Sequence, residues 1–202
     1  MNMTMYNMKK LFITSILIIW AVAVNAQIPL GFKAGININN VYTQNPKGKR
    51  SPAEAALAFQ TGIFTKIKIT EKLSFAPEVQ YIQKQTTVTR SSGNKIKLSY
   101  IEIPILISYK PVNFMAIEAG PSVGFNIGSN TVLDAYQKTD GGILGGVQFY
   151  FTKKLSFSSR YYYGLLPIDK VVYTTGPTGM GPTNTYKFFN QNWQFSLHYY
   201  LK

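Results

Sequence analysis

Three carboxylates, three cations and one imidazole carry most of the chemistry this chain could do. Glu78, Glu102 and Glu118, Lys33, Lys66 and Arg160, and the single histidine, His198, all fall on the polar side of segments that alternate polar with apolar residues. In a dry interior such a set neutralises itself as a salt-bridge network, because an unpaired ion in low dielectric is expensive. The alternative is a carboxylate cluster that holds a cation or lines a narrow polar path. His198 lies two residues from Ser196, with Ser156 and Ser158 on the preceding alternating segment. A serine hydrolase needs nucleophile, base and orienting acid in mutual reach, and no distinctive motif surrounds these residues. A lone inward histidine more often hydrogen-bonds to its neighbours. The chain has no cysteine, which removes disulfides, thiolate metal ligands, a cysteine nucleophile and a lipid-modified cysteine. The sequence therefore assigns no catalytic residue, metal or cofactor, and reads as non-enzymatic.

Side chains so far apart in sequence meet only if the segments carrying them close around one axis. Alternation bounded by turn-forming residues predicts strands at 28–38, 56–69, 73–83, 97–109, 114–127, 141–151, 155–164 and 192–201. In the run Ile101 to Tyr109 every odd position is large and apolar, while the even ones include Glu102 and Ser108. One face suits hydrocarbon and the other tolerates water. The connections 70–72, 110–113 and 152–154 are tight, whereas 39–55, 84–96, 128–140 and 165–191 are long. Short periplasmic turns and longer outer loops have this rhythm in membrane barrels.

The outward face is the discriminating test, because a Lys or Arg there costs about 2–4 kcal/mol at the bilayer midplane. With the phase set strand by strand, that face reads Phe32, Ile36, Phe59, Ile63, Val79, Ile103, Ile107, Ile117, Val123, Val147, Phe149, Phe157, Trp193, Phe195 and Leu197, without a cation. The opposite face holds Lys33, Lys66, Lys68, Glu78, Glu102, Glu118 and Arg160. Tyr81, Tyr109, Phe114, Phe151, Tyr163 and Trp193 sit near strand ends, where interfacial aromatic girdles belong. Pro77, Pro104 and Pro121 fall inside strands, and a missing donor there predicts bulges or local breaks.

The N-terminus carries Lys9 and Lys10, an apolar run from Leu11 to Val24, and small residues before Gln27, the layout of a cleaved export signal over 1–26. Residues 27–202 then form one domain. Net charge is +13, or +11 without Lys9 and Lys10. No nucleic-acid module accompanies it, so lipid phosphate is the expected anionic partner rather than nucleic acid. Lys47, Lys49, Arg50, Lys84, Arg90, Lys95, Lys97, Lys138, Lys170 and Lys187 against Glu54, Asp134, Asp140 and Asp169 leave the outer loops positive by six. Such a rim suits the phosphates and acidic sugars of lipopolysaccharide. Ordinary solvated loop charge, or a protein partner docking on the loops, is the alternative. The last loop, with Gly176, Pro177, Gly179, Gly181 and Pro182, has turn-forming composition and no periodicity.

Five segments resemble the outer-membrane β-barrel family widespread in Bacteroidetes, the porin-like group that includes PorT-like proteins. They are Gly31 to Asn37, Pro77 to Lys84, Tyr100 to Pro104, Gly120 to Gly124 and Arg160 to Leu165, in that order along the chain. The resemblance implies an eight-stranded barrel and carries over no catalytic residue. The ending Tyr199-Tyr200-Leu201-Lys202 departs from the terminal aromatic common in such barrels. The expectation is an all-β, eight-stranded antiparallel up-and-down transmembrane β-barrel in the outer membrane of a Gram-negative cell. Its polar lumen is expected to be filled by Lys33, Lys66, Glu78, Glu102, Glu118, Arg160 and His198, and its role to be structural or interactive at the cell surface, with a link to secretion or lipid binding. A narrow porin-like channel for ions or small solutes is the alternative. A soluble ligand-binding barrel would need the reverse polarity, apolar inside.

Overall fold

The computed structural model describes residues 29–52, 54–87, 95–129, 137–174 and 183–201. The expected export signal over 1–26 and residues 175–182 lie outside them. The strands are β1 (Leu30–Gln44), β2 (Arg50–Pro52), β3 (Glu54–Thr65), β4 (Ile67–Lys68), β5 (Leu73–Thr87), β6 (Lys95–Val112), β7 (Met115–Ser129), β8 (Thr139–Tyr150), β9 (Leu155–Gly164), β10 (Asp169–Thr174) and β11 (Thr183–Tyr200). Sequential antiparallel pairing runs from β1 through β3, β5, β6, β7, β8 and β9 to β11, and β4 extends the β3 strand along β5. β11 then pairs with β1 from Gly31↔Tyr200 to Gln44↔Lys187 and closes the ring. Counting β3 and β4 as one, eight strands form the wall. The fold is an all-β, closed antiparallel barrel.

Register fixes its shape. Asn37 faces Ala58 directly across β1 and β3. Followed the other way round, through Gln194, Arg160, Gly146, Glu118, Ser108 and Ser74, the same row arrives at Lys68. The row has climbed ten residues along the β3–β4 strand. At ordinary strand spacings, eight strands with that stagger tilt by about 40° and leave a backbone radius of about 8 Å. Side chains fill an interior of that size.

Polarity is inverted relative to a soluble protein. Phe32, Ile105 and Trp193 are 52%, 43% and 49% exposed, whereas Lys33, Glu102 and Arg160 are almost fully buried. Ile103, Phe149 and Phe195 lie on the same outer face as Phe32. Outward apolar side chains against an inward polar axis follow from the period-2 alternation alone.

Four local expectations change. The 39–55 and 165–191 connections contain strand: β1 runs on to Gln44 and pairs β2, while β10 pairs the early part of β11. In the extension of β1 the outward series Phe32, Ala34, Ile36, Ile38 continues through Asn40 and Gln44, since beyond the hydrocarbon the outer face no longer needs to be apolar. Lys68 is exposed rather than lumenal, because β4 ends at the periplasmic turn. Around the prolines there are breaks without bulges. Pairing lapses between Pro77 and Gln80 opposite Glu102 and Ile105, then resumes in unchanged register. The same happens between Pro104 and Ile107 opposite Ala119 and Ser122. The register shifts lie elsewhere, at Ser99/Tyr100, at Tyr109/Val112 and between Ala55 and Gln60.

The wall polarity makes a direct prediction. Ile105→Arg, near the middle of β6, should destabilise the barrel in lipid vesicles by about 2–4 kcal/mol in denaturant unfolding. Val172→Arg on β10, beyond the hydrocarbon and 58% exposed, should change stability by under about 0.5 kcal/mol.

Candidate functional site: a lumenal ion network

Five charged side chains form one chain of ion pairs along the lumen. Lys33 Nζ reaches Glu78 Oε2 at 2.5 Å. Arg160 then grips both Glu78 and Glu118: its Nη1 donates to Glu78 Oε1 and Oε2 at 2.8 and 3.0 Å. Its Nη2 and Nε donate to Glu118 Oε2 at 2.6 and 3.0 Å. Glu118 Oε1 accepts from Lys66 Nζ at 2.8 Å, and that ammonium also donates to Gln148 and to the Tyr150 hydroxyl. A planar guanidinium with five donors is suited to bridging two carboxylates in this way.

Backbone registers explain how residues on five strands meet. Glu118, Gly146 and Arg160 lie in one row across β7, β8 and β9. Gly146 sits between the partners, and a Cβ there would come within 2.2 Å of the Ser159 carbonyl oxygen and 3.0 Å of Arg160 Cγ. The missing side chain is what lets Arg160 lie across β8 to Glu118. Lys33 reaches Glu78 in the same fashion, past β3.

Glu102 does not join this chain. Glu78 faces the row of Pro104, so Glu102 lies one inward step closer to the outer mouth. There Lys84 Nζ lies 2.8 Å from both Glu102 Oε2 and Asp140 Oδ2. Asp140 also accepts from the Tyr162 hydroxyl at 2.9 Å and from Asn190 Nδ2 at 2.8 Å, and Glu102 Oε1 accepts from Gln80 Nε2. The Lys84 ammonium stacks 4.0 Å from the Tyr162 ring centroid. Lys84 and Asp140 were expected on the outer loops and are instead buried, because β5 and β8 run further than predicted in unbroken inward phase. Moving one cation and one anion inward leaves the outer rim positive by six.

His198 is buried in the row of Lys33. Its Nε2 pairs with Ser158 Oγ at 2.9 Å rather than with Ser196, and Phe64 packs edge-on against its ring. Nδ1 has no partner among the described residues. A hydrolytic triad needs an acid at that nitrogen, so nucleophile and base meet without an orienting group. Among the described residues no three metal-ligating side chains cluster: Glu78, Glu102 and Glu118 each face a cation instead of one another.

An apolar cluster covers the outer end of the polar axis, and an aromatic pair lies toward the other. Toward the outer mouth Val41, Ile82, Leu98, Tyr100 and Ile168 form an apolar cluster. Ile168 is held over the opening by its N–H to the Phe188 carbonyl and by its carbonyl to Gln137 N–H. Toward the periplasmic turns Phe64 stacks edge-on against Tyr200.

A closed strand wall with an apolar exterior and an ion-paired axis defines an integral outer-membrane β-barrel protein. The chain belongs to the family of the outer membrane protein β-barrel domain, whose model matches residues 25–170, and its location is the outer membrane. No curated protein matches it. Among solved structures it is similar to the outer membrane protein OprG from Pseudomonas aeruginosa, at 12% identity over 86% of this chain and 96% of that one, with a TM-score of 0.52. Neisserial surface protein A is 17% identical over 83% of this chain and 96% of its own, with a TM-score of 0.49. Ail of Yersinia pestis, solved with a heparin analogue, is 9% identical over 86% and 99%, also at 0.49. The OprG similarity concerns fold alone.

Removing one member of a buried ion network leaves its partner uncompensated. Glu118→Gln should therefore cost about 3–5 kcal/mol of barrel stability in detergent unfolding. Lys66→Gln should cost less than half as much, since its side chain is 12% exposed and water can take its place.

Proposed function

We propose that this protein is a non-enzymatic outer-membrane barrel with a sealed axis, acting through its surface rather than through its lumen. The observation that carries this reading is the continuous Lys33–Glu78–Arg160–Glu118–Lys66 network, in which the four inner side chains are at most 2% exposed. A path for ions through it would have to break charge-assisted bonds in low dielectric. With the lumen closed, interaction falls to the surfaces outside it, and the outer loops reach furthest from the membrane. Lys47, Lys49, Lys97, Lys138 and Lys187 are exposed there, and the phosphates of surface lipopolysaccharide supply matching charge. A protein partner, in a secretion assembly for instance, would use the same loops. Delivery by a cleaved signal over 1–26 completes the proposal.

In planar bilayers the purified protein should give no ion steps above baseline at neutral pH. Steady steps that vanish in Glu102→Gln or Glu118→Gln would overturn the sealed-lumen reading. In detergent, K47Q/K49Q/K138Q/K187Q should bind lipopolysaccharide more weakly than wild type, by about 1 kcal/mol per charge at most.

A further inference from the structure

The short-turn end of the barrel carries a second cationic surface, separate from the outer loops and from the lumen. Lys68, Lys72, Lys153 and Lys154 are exposed and Lys110 is half-exposed there, while Glu71 is the acid that the sequence places at this end. No ion pair among the described residues involves any of them. The turns form a connected arc. Lys110 N–H donates to the Lys72 carbonyl at 2.7 Å, Tyr150 N–H to the Phe114 carbonyl at 2.8 Å, and Tyr200 N–H to the Lys154 carbonyl at 2.9 Å. Each turn is thereby tied to the next wall strand, which holds the cations at one level.

Large apolar side chains stand among them. Phe114, Phe151 and Ile69 are 61%, 62% and 56% exposed, and they continue the lipid-facing wall into the turns. Lys110 differs from the other lysines: it turns toward the bore, its ammonium 4.6 Å from the centroid of the inward Tyr150 ring. A partner that meets these cations while the neighbouring rings stay in hydrocarbon must itself join an anion to acyl chains. We infer that this arc binds the phosphates of anionic glycerophospholipid in the periplasm-facing leaflet, with Lys72, Lys153 and Lys154 as the contacting residues. Lysine suits such a depth, since its stem lies along apolar surface while its charge reaches the head groups.

Spin-labelled phosphatidylglycerol and phosphatidylcholine, added in turn at trace level to phosphatidylcholine vesicles holding the full barrel, report how much of each lipid is immobilised at its surface. At low salt the wild type should favour phosphatidylglycerol by about fivefold, the equivalent of one lysine near an anionic head group, and the preference should shrink in 1 M salt. K72Q/K153Q/K154Q, checked for folding by its heat-modifiable gel mobility, should approach parity. The outer-loop variant K47Q/K49Q/K138Q/K187Q should keep the preference, which separates this inference from the role proposed for the outer rim. Equal partitioning by the wild type, or an undiminished preference in the turn variant, would overturn the inference. So would capture of the wild type but not the turn variant by an acidic cell-wall polymer in the absence of any lipid preference.

Discussion

Closure of β1 against β11 is the constraint on which everything else rests. In hydrocarbon no water satisfies a stray backbone N–H or C=O, so a strand-crossing chain is viable only when the last strand pairs the first. Closing eight strands with a stagger of ten residues fixes a narrow bore. That bore is polar because the outer face cannot be. The alternation that gives Phe32, Ile36 and Ile38 to lipid necessarily gives Lys33, Asn37 and Asn39 to the axis. The lumenal ions are thus the other half of a single pattern, and they need partners because the bore is too narrow to hydrate them freely.

Ion pairing in the bore is a costly way to fill space. A well-packed apolar core of similar volume is often as stable or more so, yet breaking one member of a buried network is strongly destabilising. The arrangement here answers that asymmetry by redundancy. Glu78 has two cations, Arg160 has two carboxylates, Glu118 has two cations, and Lys84 has two acids. Apart from Lys84–Glu102, which joins the paired strands β5 and β6, each carboxylate–cation contact bridges strands that are not neighbours in the wall, so the network braces the barrel across its axis while the backbone ladders brace it around its circumference. Gly146, by lacking a side chain, is as much a part of that bracing as the ions it separates.

Most of the wall was legible in the sequence, because lipid enforces strict alternation wherever a strand is in hydrocarbon. β9, which follows the tight 152–154 turn and ends at Gly164 just before Pro167, has its predicted bounds of 155–164. Alternation stops being enforced once a strand leaves the membrane, which is why the continuation of β1 past Ile38 and of β11 before Asn192 read as loop. The same blind spot hid two of the three ions of the second cluster. Lys84 continues the inward series Glu78, Gln80, Ile82, and Asp140 continues Gln148, Gly146, Leu144, Gly142. Phase, followed beyond the last apolar outward residue, would have found both. Which carboxylate meets which cation was not legible, since that depends on stagger around a closed ring, and stagger appears only when all eight registers are known together.

The two ends of the barrel then differ for a physical reason. At the periplasmic end the strands stop within a residue or two of the hydrocarbon, so charge and aromatic rings are compressed into one thin arc at the turns. At the outer end β1, β2, β10 and β11 carry the wall onward as a polar sheet, with Gln44 paired to both Arg50 and Lys187, and the loop charges are lifted away from the acyl chains. A cation held at head-group depth beside exposed phenylalanine meets individual lipids. One held on a raised sheet meets whatever extends above them. The same surplus of lysine therefore serves two surfaces of different reach, and the difference is set by where the hydrogen-bonded wall ends relative to the membrane.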